Sequence, residues 1–254
     1  MKAHKVVEAL QGLQATGQVD AQVAELLIEK IAQSQKFLFD FGEFPTISEA
    51  EMEDAIEQLR LPYPLCYFEI STIGALLARE TGDAVILQGF LQTPSGIGIT
   101  PVDFLTVTDK HTKSISYYAV GKGGEEAINA WNAEDNPYAF VYLSIISLLI
   151  RGLTVLNCSN VHCIDNPPPA QLNKKRLKNG RLPIYSFKTL HIRTSKTGGR
   201  TESLADGSYD RNGPRLHLRR GHIRKLPSGV RTWVQSCMVG SANDGMAFKE
   251  YTVT

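Results

Sequence analysis

The chain lacks most of the features that would place it outside a reducing compartment or tie it to a cofactor. Only four cysteines occur in 254 residues, with no pairwise spacing and no apolar leader ahead of them. That argues against a disulfide framework and leads us to expect a cytoplasmic protein. Long apolar runs are missing too. The most hydrophobic segment, YAFVYLSIISLLI at 138–150, falls short of the roughly 20 residues a helix needs to cross a bilayer. Arg151-Gly152 follows it, so a buried core helix closing at that point is expected. No lipidation motif stands at either end, and no membrane role is expected.

Motifs for metal or nucleotide chemistry are equally scarce. Cys158, His162 and Cys163 form a Cys-x3-His-Cys run without a second CxxC, and adjacent side chains on an extended backbone diverge, so no metal site is expected. GKGG at 121–124 has neither the spacing nor the hydroxyl residue of a P-loop and reads as a turn. There is no nucleophile elbow, no HExxH and no specific carboxylate pair. No cofactor is expected, and the sequence leans away from an enzyme.

What the chain does have is a lopsided charge. Its formal net charge is only +1, yet residues 171–231 hold sixteen Lys/Arg against three Asp/Glu, a local +13 that leaves −12 for the remainder. Such asymmetry suggests that one part faces a polyanion while the acidic remainder limits indiscriminate binding. With 43% hydrophobic residues, the chain can also bury a full core.

Periodicity divides the chain into an α+β order. Apolar residues at helical spacing (Val6, Val7, Leu10, Leu13, then Val19, Val23, Leu26, Leu27, Ile31) predict two helices over 3–36, broken near Gly17. Ser48-Glu49-Ala50-Glu51 has the form of a capping box and predicts a short acidic helix that stops at Leu61-Pro62. Strand-like runs follow at 65–70, 84–91, 98–107 and 114–120, predicting a mostly antiparallel central sheet, with helices at 124–132 and 137–151. Three prolines at 167–169 can continue neither a helix nor a central strand. They suggest a division into an acidic α+β part (1–165) and a basic, mainly antiparallel β part (170–254), whether or not the two share one core. In the second part, strands are expected at 184–192, 215–226, 231–240 and 247–253, with a linker at 194–213 and turns at 227–229 and 243–245.

Two candidate sites lie in the basic part. NKKRLKNGR at 173–181 packs five basic side chains into nine residues, and Lys174, Lys175, Arg176, Lys178 and Arg181, with Arg220 further on, are the expected phosphate contacts. Aromatic neighbours Tyr185, Phe187 and Trp233 fit core positions better than base-stacking ones. The second candidate is the run 215–226. Leu216 and Leu218 are even-numbered and Ile223 is odd, so a regular strand cannot bury all three on one face. A bulge at Arg220-Gly221 would restore the alternation and bring His217, Arg219, His222 and Arg224 onto one exposed face. Two imidazoles and two guanidiniums so arranged could bind a phosphate and move protons around it, as a metal-independent ribonuclease would.

Three blocks carry a resemblance: LRLPYPLCYFEI at 59–70, NKKRLKNGRLPIYSFKTLHI at 173–192 and RLHLRRGHIRKLPSGVRTWVQSCMVG at 215–240, followed by KEYTV at 249–253. Together they resemble uncharacterised proteins encoded by bacteriophages and prophages. The resemblance implies a genomic setting and no activity. The expectation is therefore a phage- or prophage-type protein that binds nucleic acid, or a nucleic-acid-containing host complex, through its basic surface. The alternatives are a nuclease using His217 and His222, and a host-directed inhibitor acting through its acidic part, net −11 over residues 1–170.

Overall fold

A computed structural model describes residues 1–39, 60–70, 74–82, 84–100, 103–109, 114–120, 137–192, 215–219, 222–234, 237–239 and 241–246. The expected capping-box helix, the GKGG turn, the helix at 124–132, the linker at 194–213, Arg220 and the strand at 247–253 lie outside the described residues.

The chain is an α+β protein. Helices α1 (Ala3–Ala15) and α2 (Ala21–Gln33) form as the spacing predicts, burying Val6, Val7 and Leu10 from the first and Ala24, Leu27 and Ile31 from the second. Asp20 caps α2 by accepting from the amides of Gln22 (2.9 Å) and Val23 (3.2 Å). The strands that follow are β1 (Gln35–Leu38), β2 (Leu65–Glu69), β3 (Gly74–Thr81), β4 (Ala84–Thr93), β5 (Gly96–Ile99), β6 (Asp103–Asp109) and β7 (Ser114–Val120). Helix α3 (Pro137–Leu156), strand β8 (Val161–Asn166), helix α4 (Ala170–Lys178) and strand β9 (Phe187–Ile192) come next. The main sheet runs β7-β6-β4-β3-β2-β1-β9-β8, with β5 paired to β4. It is antiparallel except at β1, which lies parallel to both β2 and β9.

Alternation along the inner strands builds two cores. Phe37, Cys66, Phe68, Leu76, Ala78, Leu87 and Leu91 point to the face covered by α3, where Tyr142, Ile145, Ile146 and Leu149 meet them. Tyr67, Ala75, Leu77 and Phe90 point to the other face and pack on α1 and α2. The result is a sheet between two helical layers.

Several expectations change. Strand β3 (GALLARET) was not expected, because Ala, Leu, Arg and Glu favour helix. It is a strand because Ala75, Leu76, Leu77 and Ala78 are all buried, alternately under α1–α2 and α3, and tertiary packing overrides propensity. The expected strand at 98–107 divides into β5 and β6, both hydrogen-bonded to β4. Helix α3 does not stop at Arg151-Gly152 but continues to Leu156. Gly152 is needed there for room, since a Cβ at that position would overlap the Phe39 ring. At 20 residues, α3 is long and apolar enough to cross a bilayer, but half of its most apolar stretch is buried in this fold. It also seats closely on the sheet, where a Cβ on Gly74 would overlap Ile145 and one on Gly89 would overlap Tyr142.

The triple proline is a junction within one sheet. Strand β8 precedes it, β9 follows, and the two pair with each other while β9 also pairs with β1. Beyond β9, strands β10 (Arg215–Arg219), β13 (Cys237–Val239) and β14 (Ser241–Met246) form one small sheet, while β11 (His222–Lys225) and β12 (Arg231–Val234) form a hairpin. The hairpin packs Ile223 and Trp233 against Val155, Cys158, Val161 and Leu190. Between β10 and β14 the register jumps from Arg215↔Ser241 to Leu216↔Met246. The expected Asn243-Asp244-Gly245 turn therefore lies between the two pairings of β14 with β10.

Candidate nucleic-acid interface

The basic run at 173–181 forms most of a helix that the body of the protein grips from one side. Pro169 is its N-cap, and its carbonyl accepts from the amides of Leu172 (3.0 Å) and Asn173 (3.3 Å). Asn179-Gly180 ends it in a Schellman motif, with Arg181 N–H donating to the Arg176 carbonyl (2.9 Å) and Gly180 N–H to that of Leu177 (3.0 Å). Gly180 supplies the left-handed conformation (φ 65°) that this stop requires. No residue of α4 is buried, so apolar burial contributes little to holding it.

Polar side chains hold it instead. Asn173 donates through Nδ2 to the Ile184 carbonyl (3.0 Å) and accepts from the Ile184 amide through Oδ1 (2.8 Å). Arg176 donates through Nε to the Leu182 carbonyl (2.7 Å), and its Nη2 pairs with Glu8 of α1 at 3.2 Å. The Arg176 side chain is 16% exposed, so this guanidinium is spent on anchoring α4 rather than displayed to a ligand. Lys5 meets the other oxygen of Glu8 at 3.2 Å.

Helical geometry then fixes where the remaining cations go. At about 100° per residue, Asn173 and Arg176 define one side, and Lys174, Lys175 and Lys178 span the opposite side. All three lysines are exposed, as is Arg181 just past the Schellman turn. None of the four forms an ion pair with a described residue. The last turn of α4 carries Lys175, Arg176 and Lys178, the sign that favours a helix C-terminus. Leu172 and Leu177 flank the lysine face and are exposed at 41% and 60%.

The second candidate site fares differently. His217 lies on β10 opposite Val239, Arg219 opposite Cys237, His222 on β11 opposite Val234, and the exposed Arg224 opposite Thr232. Arg220 and Gly221, where the bulge is expected, lie outside the described residues, and β10 and β11 pair in separate sheets. The side chains of His217, Arg219 and His222, like Arg220, lie outside the described residues.

Trp233 is buried as expected of a core aromatic. Cys158 is buried in the turn after α3, where burial pushes its thiol up to about 11, while His162 and Cys163 are neighbours on β8. Sequence reasoning missed one cluster: Lys36, buried under α1 beside His4, Tyr67, Glu69 and Tyr185. Its only sequence signal is a lysine between a helix and an apolar pair, which is too common to single out. No protein family, curated protein or solved structure matches the chain.

Proposed function

We propose that the protein binds nucleic acid through the outward face of α4, with Lys174, Lys175, Lys178 and Arg181 contacting phosphates, as a non-catalytic phage-type protein in a bacterial cytoplasm. One observation carries this reading. The cations on one side of α4 are exposed and pair with no described residue, while the polar residues on its other side are consumed in fixing the helix. A short helix so displayed presents a rigid row of ammonium groups, the arrangement that gains most from releasing counterions from a polyanion. The acidic remainder of the chain would keep contact confined to this face.

The test is titration of labelled single-stranded and duplex oligonucleotides in EDTA at several salt concentrations. Four phosphate contacts give a slope of log K on log salt of about −3 to −4, hence a loss of affinity of roughly 50- to 150-fold between 50 and 200 mM salt. Replacing Lys174, Lys175 and Lys178 together by alanine should flatten that slope by about 2 to 3. Tight binding with no salt dependence, or a triple variant with the wild-type slope, would overturn the proposal. Cleavage in EDTA would show that the protein is not merely a binder.

A further inference from the structure

Beneath the first turn of α1 lies a cavity of about 90 Å³, lined by Lys2, Ala3 and His4, by Lys36 and Leu38 of β1, Tyr67 and Glu69 of β2, and residues 184–187. Register places Lys36 beside Tyr67 and Leu38 beside Glu69 on the same face of the sheet. Lys36 is 9% exposed. Two of its ammonium protons go to the carbonyls of Ala32 (2.8 Å) and Ser34 (2.7 Å) at the end of α2, and its Nζ stands 4.6 Å from the centre of the Tyr185 ring. No carboxylate of a described residue pairs with it. Glu69, the acid that lines the cavity, faces the Met1 amine at 3.6 Å. A buried cation without a counter-ion is costly, and proteins ordinarily pair such charges.

We propose that this cavity binds a small organic carboxylate, its head beside Lys36 and Lys2 and its apolar body against Leu38, Ile184 and Phe187. The size suits a short acid, being several times the roughly 10–15 Å³ that a cavity needs to hold one water. The sign of the ligand follows from the lining, which offers two lysines against one acid, and that acid already faces the Met1 amine. The N-terminal end of α1 adds to that sign, since no side chain caps it and no acidic residue occupies its first turn. The lining is mixed in character, with the amines and hydroxyls of Lys2, Lys36, Tyr67 and Tyr185 alongside the apolar Leu38, Ile184 and Phe187. That contrast distinguishes a carboxylate with a hydrocarbon tail from inorganic phosphate, which has no apolar body to place.

The chemistry also fixes a pH dependence. Burial lowers Lys36 to about 8, and a bound carboxylate needs the ammonium form, so affinity should fall as pH rises through that value. The other titratable groups around the cavity are Lys2, His4 and the Met1 amine from the α1 side, Tyr67 and Glu69 from β2, and Tyr185. Burial lowers His4 and the Met1 amine and raises Tyr67 and Tyr185.

The experiment uses the full chain with sodium acetate, propionate, butyrate and phosphate as probes against sodium chloride at matched ionic strength. It is read by thermal unfolding and by ligand-observed saturation-transfer NMR. A saturable rise in Tm is expected with propionate or butyrate and not with chloride or phosphate, weakened at least tenfold by Lys36→Met and up to about tenfold between pH 7 and pH 9. Leu38→Phe, which fills part of the cavity without removing the cation, should abolish binding as well, and it decides the matter if Lys36→Met does not fold. Equal shifts with chloride, or carboxylate binding unchanged in either variant, would overturn the proposal. The lysine face of α4 is not part of this cavity, so loss of carboxylate binding leaves oligonucleotide binding intact.

Discussion

Helices α3 and α4 stand close in sequence and are held by opposite physics. The first is gripped by burial: Tyr142, Ile145, Ile146 and Leu149 are at most 2% exposed, and glycines in β3 and β4 clear the space for them. The second buries no residue and is gripped by hydrogen bonds and one ion pair from Asn173 and Arg176. An apolar stripe used for docking would cost α4 part of its surface. Two polar side chains fix it while leaving Lys174, Lys175 and Lys178 exposed and unpaired among the described residues, the arrangement on which the proposed phosphate contacts rest.

The comparison breaks most visibly at α3. Ile146→Ala removes a fully buried side chain from the core between α3 and the sheet and should cost about 2–5 kcal/mol in chemical denaturation. Oligonucleotide affinity of the protein that remains folded should not change. If stability fell by less than about 1 kcal/mol, α3 would not be the core helix its packing implies.

At α4 the effect is smaller and appears in two readouts. Arg176→Ala removes both the Leu182 and the Glu8 contacts and should cost about 1.5–3 kcal/mol, the range for hydrogen bonds to charged groups. Arg176→Lys keeps the charge but loses the planar geometry that serves both partners. It should therefore show most of the same stability loss with little change in salt slope. A drop of about one in the slope with Arg176→Lys, and no loss of stability, would mean that Arg176 contacts phosphate and that α4 is not anchored through it.

Much of the fold was legible because its strongest signals are local. The 3.6-residue spacing of Val6, Val7 and Leu10 and of Val23, Leu27 and Ile31 needs only a helix to express itself, and both helices formed. Strand β3 was illegible because nothing local to GALLARET says that both of its faces will be covered. The parity argument at 215–226 took Leu216, Leu218 and Ile223 as one core; Ile223 packs with Trp233, Val155 and Cys158, while the side chains of Leu216 and Leu218 and the residues 220–221 lie outside the described ones. Charge density singled out the segment that forms α4. Which guanidinium would turn inward depended on Glu8, 168 residues away in sequence.

The smallest effect lies on the opposite face of the sheet from α3, at Lys36. Its pKa is lowered to about 8 by burial, while in the unfolded chain a lysine titrates near 10.4. Between those values the unfolded state binds the proton that the folded state has lost, so this group makes stability rise with pH through that window. Burial raises Cys66, Cys158 and Tyr67, and these groups act in the other direction, since the folded state holds their protons longer. Raw stability of the wild type therefore mixes opposed slopes. Subtracting the pH profile of Lys36→Met cancels the shared part, and the difference should grow by about 1 kcal/mol from pH 8 to pH 9. A flat difference would mean that the ammonium of Lys36, held by the carbonyls of Ala32 and Ser34, keeps its proton as firmly in the fold as in water.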